Sequence, residues 1–346
     1  MRVLQLNNWS ELRGGSDRVF IETGKGLSAR GHEVFSFAPV PSFTTTPDMQ
    51  NPADIETQML PLIADSHTSR RANALSMVYS SSTSRCLEHF LRKVGPIDVA
   101  HVHIIHSRLT TSVLRTLRRC GIPIVQTMHE YKLVCPIYKL FNDSICERCV
   151  GGNALNVVLR RCKNKSYGAS ALAYLEHSVA RMLGSRDLVN KFLCISDFQK
   201  RLLSQAGIDE DKLLLLRNGT DLDVFKPIEQ GERRCHYLYF GRLEPEKGIT
   251  TLLRAFIGTS RQLVILGTGS MRPEVEAAAA QHLNIRLHDH LEGEALTQMI
   301  AQARAVIVPS EWHEPFGLTI IEAKACGTPV IGSTVGAIPE LIRPGI

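Results

Sequence analysis

Residues 236–257 read HYLYFGRLEPEKGITTLLRAFI. The first part, 236–243, begins as an unbroken aromatic and aliphatic run and suits a buried strand. A Gly-Arg-Leu-Glu-Pro turn follows, and over 247–257 Ile249, Leu252, Leu253 and Phe256 recur at helical spacing. Strand, charged turn, helix is the repeating unit of a parallel α/β sheet, which binds anions where a strand end meets the next helix.

Working outward, the same unit recurs. Strands are predicted at 3–7, 32–38, 97–104, 122–129, 191–196 and 212–218, with helices at 15–30, 108–120 and 197–206. After 236–257 come strands at 262–269, 284–290, 305–310 and 329–333, with helices at 272–281, 294–303 and 317–326. Between the two series, GTDLDVFKPIEQGERR (219–234) breaks the rhythm with Gly, Pro and charges and reads as a linker. The expected organisation is a first domain over 1–218 with a Cys-rich insertion at about 132–166, then the linker, then a second domain over 235–346. That second domain spans 112 residues and is expected to be C-terminally incomplete for a doubly wound fold.

The 346 residues are 44% hydrophobic, with no low-complexity tract and no window of 18 apolar residues, which fits a two-domain globular chain without a membrane span. The N-terminus MRVLQLNNW turns polar too early for a secretory signal, and nine cysteines without one point to a reducing cytoplasm. Residues 1–220 hold 28 Lys/Arg against 19 Asp/Glu, while 221–346 hold 12 against 15. Ordinary surface variation and a first domain that faces an anionic membrane surface or a phosphorylated acceptor both fit this asymmetry. Residues 70–93 read as one basic, weakly amphipathic helix, suited to packing or to bilayer contact. Nucleic acid is not an expected partner, because aromatic platforms and a helix-borne basic face are lacking.

Arg242 at a strand end and Lys247 at a helix start suit a diphosphate, the first by forked contacts and the second as a point charge. A lysine at a helix N-terminus is unfavourable unless an anion compensates it. Three further turns have the form of anion sites: Gly14-Gly15 after the first strand, Gly267 after QLVIL, and Phe316-Gly317-Leu318-Thr319. Glu314 and Glu322 stand eight residues apart around the last of these. No Asp-x-Asp element is visible, and no catalytic metal is expected.

GRLEPEKGI together with EPFGLTIIEAKACGTPVIGSTVGAIPE resembles the donor-binding signature of retaining glycosyltransferases of family 4, whose GT-B fold sets two Rossmann-like domains facing a cleft. Arg13-Gly14-Gly15, His129-Glu130, Ser196 and Asn218-Gly219 extend the resemblance along the chain, although the family commonly shows His-Asp at the second of these. It implies that Arg242 and Lys247 hold the diphosphate of a UDP-, GDP- or ADP-linked sugar, with Gly15 against the distal phosphate. It further implies Glu314 and His129 on the transferred sugar, Glu322 on the ribose, and the N–H groups near Leu318 and Thr319 on phosphate. Gly14, Gly267, Phe316, Gly317 and Asn218 complete the expected donor contacts. The implied activity is metal-independent transfer to a saccharide or lipid-linked saccharide in cell-surface polysaccharide or glycolipid synthesis, at the inner membrane face. An inactive GT-B binding or scaffold protein is the competing expectation.

Cys135, Cys146, Cys149 and Cys162 follow a C-x10-C-x2-C-x12-C spacing. A structural zinc site, reduced thiols and a disulfide all fit it, and the resemblance implies that similar insertions recur among relatives. Cys86, Cys120, Cys194, Cys235 and Cys326 read as core fillers, and His101, His103 and His106 as strand histidines without a special role.

Overall fold

Strands buried on both faces of a parallel sheet read as continuous apolar runs, which is why the alternation above translates directly into structure. The computed structural model describes residues 1–40, 60–61, 70–228, 236–289 and 291–343. The chain forms two units, one of Met1–Tyr138, Arg148–Ile195 and Lys200–Leu216, the other of Lys139–Glu147, Ser196–Gln199 and Arg217–Ile346.

The first unit holds strands β1 (Arg2–Leu6), β2 (Glu33–Phe37), β3 (Pro39–Val40), β4 (Leu60–Pro61), β5 (Val99–Val102), β6 (Ile124–Met128), β7 (Lys191–Cys194) and β8 (Leu213–Leu215). Six of them form one sheet in the order β2-β1-β5-β6-β7-β8, and β3 pairs with β4 separately. All pairings are parallel. The helices are α1 (Gly15–Ser28), α2 (Arg70–Val78), α3 (Ser81–Val94), α4 (Thr110–Arg119), α5 (Asn156–Leu159), α6 (Tyr167–Met182), α7 (Ser185–Leu188) and α8 (Asp197–Gln205). Strand order reverses between β1 and β5, so the loops leaving these two strands flank the switch point where open α/β sheets bind ligands.

The single helix expected at 70–93 is two. Ser80 stops α2 and caps α3, its hydroxyl accepting from the Thr83 N–H. Leu87, Phe90 and Leu91 of α3 are buried, so that helix packs one face. Among the cysteines expected in the core, Cys194 and Cys326 are buried, whereas Cys120, at the end of α4, is exposed and Cys86 is half-buried. Cys235 lies outside the described residues.

The second unit holds β9 (His236–Phe240), β10 (Gln262–Leu266), β11 (Ile285–His288), β12 (Ala305–Val308) and β13 (Val330–Gly332) in one parallel sheet, ordered β11-β10-β9-β12-β13. Its helices are α9 (Ile249–Phe256), α10 (Arg272–Gln281), α11 (Gly293–Ala301), α12 (Leu318–Ala325) and α13 (Ile338–Leu341). Period-two alternation sorts the strand side chains between two cores. Leu238, Phe240, Val264 and Leu266 pack with Ile300 of α11 and Ile320 of α12. Tyr239, Leu263 and Ile265 pack on the other face with Leu253 of α9 and Val275 of α10. Here the order reverses between β9 and β12, whose outgoing loops carry Arg242 with Lys247 and Glu314 respectively.

Part of the expected linker is structured rather than free. Phe225 is 6% exposed within the second core, and the Thr297 hydroxyl donates to the Val224 carbonyl at 3.1 Å. Among the described residues no helix is long and apolar enough to cross a membrane.

Candidate active site

β9 ends at Phe240, and a loop then leads into the turn Pro245–Lys247 and α9. The Tyr239 hydroxyl donates to the Arg242 carbonyl at 2.7 Å, holding the loop against its own strand. The neighbouring loop after β10 locks it from beside: Leu243 N–H donates to the Thr268 carbonyl at 2.8 Å. A Cβ at Gly267, where φ is +145°, would fall 1.9 Å from the Gly241 carbonyl oxygen, so only glycine permits this approach. Gly267 thus supports the Arg242 loop by packing.

Arg242 keeps its guanidinium open, with 53% of the side chain exposed and, among the described residues, one long ion-pair contact, 3.9 Å, to Glu246. Glu246 is itself buried and paired with Lys139 at 2.7 Å. Burial alone would raise the Glu246 pKa, but the Lys139 hydrogen bond and charge outweigh it and the result is lowered.

Lys247 and Glu314 meet. Lys247 Nζ donates to the two carboxylate oxygens at 3.0 and 2.8 Å, while Ser310 Oγ and Trp312 Nε1 each donate to Oε2 at 3.0 Å. Lys247 Nζ also lies 5.1 Å from the Trp312 ring centroid. Burial pushes Glu314 towards the neutral acid, yet the Lys247 charge and these donors prevail and hold its pKa below the ordinary carboxylate value. Glu314 is therefore an ionised, buried carboxylate, aimed by four hydrogen bonds. Behind it, Gly336 (φ +62°) leaves no room for a side chain: a Cβ there would stand 2.4 Å from the Glu314 nitrogen.

Gly317, at φ +116°, opens α12 without a side-chain cap. Leu318 and Thr319 begin the helix, Phe316 is buried beside it, and Glu322 lies one turn further on, 4% exposed. Asn218 is half-buried beyond β8, beside Arg217, which pairs with Asp197. Ser310, Trp312 and Gly336 were missed by sequence reasoning, although Ser310 and Trp312 stand only four and two residues before Glu314.

In the first unit, Gly14 caps α1 in extended conformation, and a Cβ there would meet nothing within 4 Å. The fold itself does not demand glycine at this position. Gly15 is the first residue of α1 and is exposed. His129 follows β6 and shares a 2.8 Å hydrogen bond, through Nε2, with Nδ1 of His103, the two rings stacking at 5.1 Å. Burial depresses the pKa of His129 to about 3 and of His101 to about 4, and it holds His103 well below its usual value. All three imidazoles are neutral at pH 7. His103 and His106, read from sequence as ordinary strand residues, thus belong to the His129 neighbourhood. His106 Nδ1 lies 3.1 Å from Glu130, within a pocket lined also by Lys132, Glu176 and His177.

Burial, reinforced by Glu176, pushes Glu130 up to about 8 despite the opposing Lys132 and Lys163 charges. Since the folded pKa exceeds the unfolded one, the folded state binds the extra proton, and stability falls as pH rises from about 4.5 to about 8. Glu130→Gln should therefore raise the melting temperature more at pH 8 than at pH 5. Thermal melts at both values check it, and an equal shift at both would contradict the assignment.

None of the four spaced cysteines, for which zinc, reduced thiols and a disulfide all fit the sequence, is in a disulfide. Among the described residues no three Cys, His, Asp or Glu side chains are grouped to hold a metal ion. Cys135 is buried while Cys146, Cys149 and Cys162 are half-buried, and Cys146 belongs to a segment of the second unit, whereas the other three belong to the first. Main-chain turns shape this insertion, among them Cys135 N–H to the Tyr131 carbonyl at 2.8 Å and Cys162 N–H to the Val157 carbonyl at 3.0 Å.

Two parallel α/β units, each with a switch point, and a buried Lys–Glu pair beside an open arginine define a GT-B glycosyltransferase. The profile described as Glycosyltransferase Family 4 matches residues 13–224 and that of Glycosyl transferases group 1 matches 223–346. The chain belongs to glycosyltransferase family 4. It is 25% identical to the D-inositol 3-phosphate glycosyltransferase of Actinosynnema mirum over 364 residues, covering 96% of this chain and 79% of that protein. Mycobacterium tuberculosis has a protein of the same name that is 30% identical over 188 residues, covering 48% and 39%. Among solved structures, sucrose-phosphate synthase from Thermosynechococcus elongatus superposes with a TM-score of 0.70 at 19% identity, covering 98% of this chain and 84% of that one. Anabaena HepE, in complex with UDP-glucose, gives 0.66 at 17% identity, covering 100% and 84%.

Proposed function

We propose that this glycosyltransferase is a retaining, metal-independent enzyme that moves a sugar from a nucleotide donor to a saccharide or lipid-linked saccharide in cell-surface polysaccharide or glycolipid synthesis. The observation that carries the reading is the ionised Glu314 held by Lys247 at the switch point of the second sheet, with Arg242 open beside it. The fold likeness to HepE bound to UDP-glucose and to Arabidopsis starch synthase IV bound to ADP and acarbose supports a nucleotide-sugar donor.

Departure of a nucleoside diphosphate leaves negative charge on its phosphate oxygens. Arg242 and the third N–H of Lys247 supply fixed positive charge for it, and the uncapped start of α12 at Leu318 and Thr319 supplies main-chain donors. These groups take the role that a divalent cation fills in other transferases. Glu314, its pKa held below the ordinary carboxylate value, accepts hydrogen bonds from the sugar hydroxyls and favours positive charge at the anomeric carbon. The acceptor hydroxyl attacks on the face the diphosphate leaves, its proton passing to the departing phosphate. Configuration is then retained without a covalent sugar on the protein.

The test is a panel of UDP-, GDP- and ADP-sugars incubated with the protein, with and without EDTA, the released or transferred sugar being followed by proton NMR. Turnover of one donor class, indifferent to EDTA and with the anomeric configuration kept, is expected. Tight nucleotide binding without turnover of any donor would instead indicate an inactive binding protein.

A further inference from the structure

Trp9 lies on the loop leaving β1, and both of its faces are covered by cations. The guanidinium carbons of Arg13 and Arg108 each stand 3.4 Å from the indole centroid, a stacking distance that only opposite faces can satisfy together. Arg108 comes from the loop leaving β5, so the sandwich spans the switch point between β1 and β5. Trp9 and Arg108 are half-buried, Arg13 is exposed, and the α1 N-terminus at Gly14 begins immediately after it.

The fold invests in this placement. Ser107 and Thr110, on either side of the Arg108-Leu109 pair, adopt left-handed conformations at φ +64° and +59°, costly for side chains other than glycine. Asn8, adjacent to Trp9, clamps the turn from both ends: its Nδ2 donates to the His106 carbonyl at 2.6 Å and its Oδ1 accepts from the Leu109 N–H at 3.3 Å. Ser107 N–H is tied to Glu176 at 2.7 Å.

Two like charges are thus held close with little to neutralise them. Arg108 Nη1 is buried and has no hydrogen-bond partner among the described residues. Among the described residues Arg13 forms one ion pair, at 3.6 Å with the exposed Glu11, and its charge also acts on Asp17. Asp17, a buried carboxylate on α1, accepts from the Asn7 side chain at 2.9 Å and from the Arg13 main-chain N–H at 3.3 Å. Burial and the Arg13 charge both work against the charged form of Arg108. An anion at the edge of the indole, within reach of both guanidiniums, would relieve each of these costs.

We infer that Arg13, Trp9 and Arg108 form a phosphate subsite of the acceptor, so that the sugar is transferred to a phosphorylated molecule. The inference rests on the transferase reading above and narrows its acceptor class. A tetrahedral dianion can offer oxygens to two guanidiniums at once, whereas a planar carboxylate is matched to one fork. The phosphate could be that of a soluble sugar phosphate or of a lipid headgroup, and the chemistry recognised is the same.

Trp9 reports its own occupancy. Tryptophan fluorescence is titrated with glucose 6-phosphate, with glucuronate, and with phosphatidylcholine vesicles containing or lacking phosphatidic acid. A saturable change with a phosphate probe is expected, absent in Trp9→Phe, with affinity weakened about tenfold or more in Arg108→Ala. Response to the soluble phosphate alone or to the phosphatidic acid vesicles as well identifies the source. Calorimetry with UDP, GDP and ADP should give the same affinity in Arg108→Ala as in the parent. Equal phosphate affinity in Arg108→Ala, glucuronate binding as tightly as glucose 6-phosphate, or a parallel loss of nucleotide binding would each overturn the subsite. Phosphate binding through Arg108 in a protein that turns over no donor would instead sink the transferase reading and leave the subsite standing.

Discussion

Replacing Lys247 with methionine is expected to cost about 3 to 5 kcal/mol of folding stability and to remove most transfer activity. The reason is the asymmetry between breaking and deleting a buried ion pair. Glu314 is ionised because Lys247 donates to both of its oxygens, with Ser310 and Trp312 completing the set. Without the ammonium, burial dominates and the Glu314 pKa moves from below its usual value to above it. The pH dependence then changes sign. In the parent, the lowered pKa contributes stability that is present above the unfolded value of about 4.5 and is lost as pH falls through the folded value. In Lys247→Met, a raised pKa subtracts stability as pH climbs above about 4.5. The gap between the two proteins should therefore widen from pH 4.5 to pH 8 in urea denaturation. Adding Glu314→Gln to Lys247→Met leaves no buried charge and should recover part of the loss at pH 8. A gap independent of pH, or no recovery in the double variant, would refute this account of the pair.

The strands of both sheets were legible because each is an apolar run closed by Gly, Pro or charge. The same legibility fails wherever the chain is shaped by turns. Between 132 and 166 the non-glycine residues Tyr138, Leu140, Asp143, Arg161, Asn164 and Lys165 take positive φ, a geometry without periodicity. Cysteine spacing was the only pattern visible there, and it left zinc, reduced thiols and a disulfide open together. Arg242, Lys247 and Glu314 could be named from local chemistry, a cation at a helix start and a carboxylate before a glycine turn. That Lys247 and Glu314, 67 residues apart, bond to each other could not, since it depends on β9 and β12 being neighbours in the sheet. The His103–His129 bond, 26 residues apart across β5 and β6, was hidden for the same reason. Trp9 between two arginines, one of them 99 positions away, was beyond any pattern.

Arg242→Ala is expected to behave in the opposite way to Lys247→Met, with donor turnover reduced about 10² to 10³-fold and stability changed by no more than about 0.5 kcal/mol. The side chain is half exposed, and among the described residues its one ion-pair contact is a 3.9 Å approach to Glu246. An exposed pair of that length contributes little to folding. Deleting the arginine also strands nothing, because Glu246 remains paired with Lys139 at 2.7 Å. What is lost is a guanidinium held at a strand end by the Tyr239–Arg242 and Leu243–Thr268 hydrogen bonds, on a loop that Gly267 allows to pack closely. So much local order around an open cation has no consequence for the empty fold, and it acquires one when a diphosphate accepts two N–H bonds from the same planar group. Arg242→Lys should accordingly recover only part of the activity, since an ammonium restores charge without the fork. Steady-state kinetics for Arg242→Ala and Arg242→Lys, alongside their melting temperatures, decide the matter. Full activity in Arg242→Lys would reduce the role to charge alone, and a melting temperature that fell in step with activity would make Arg242 a structural residue.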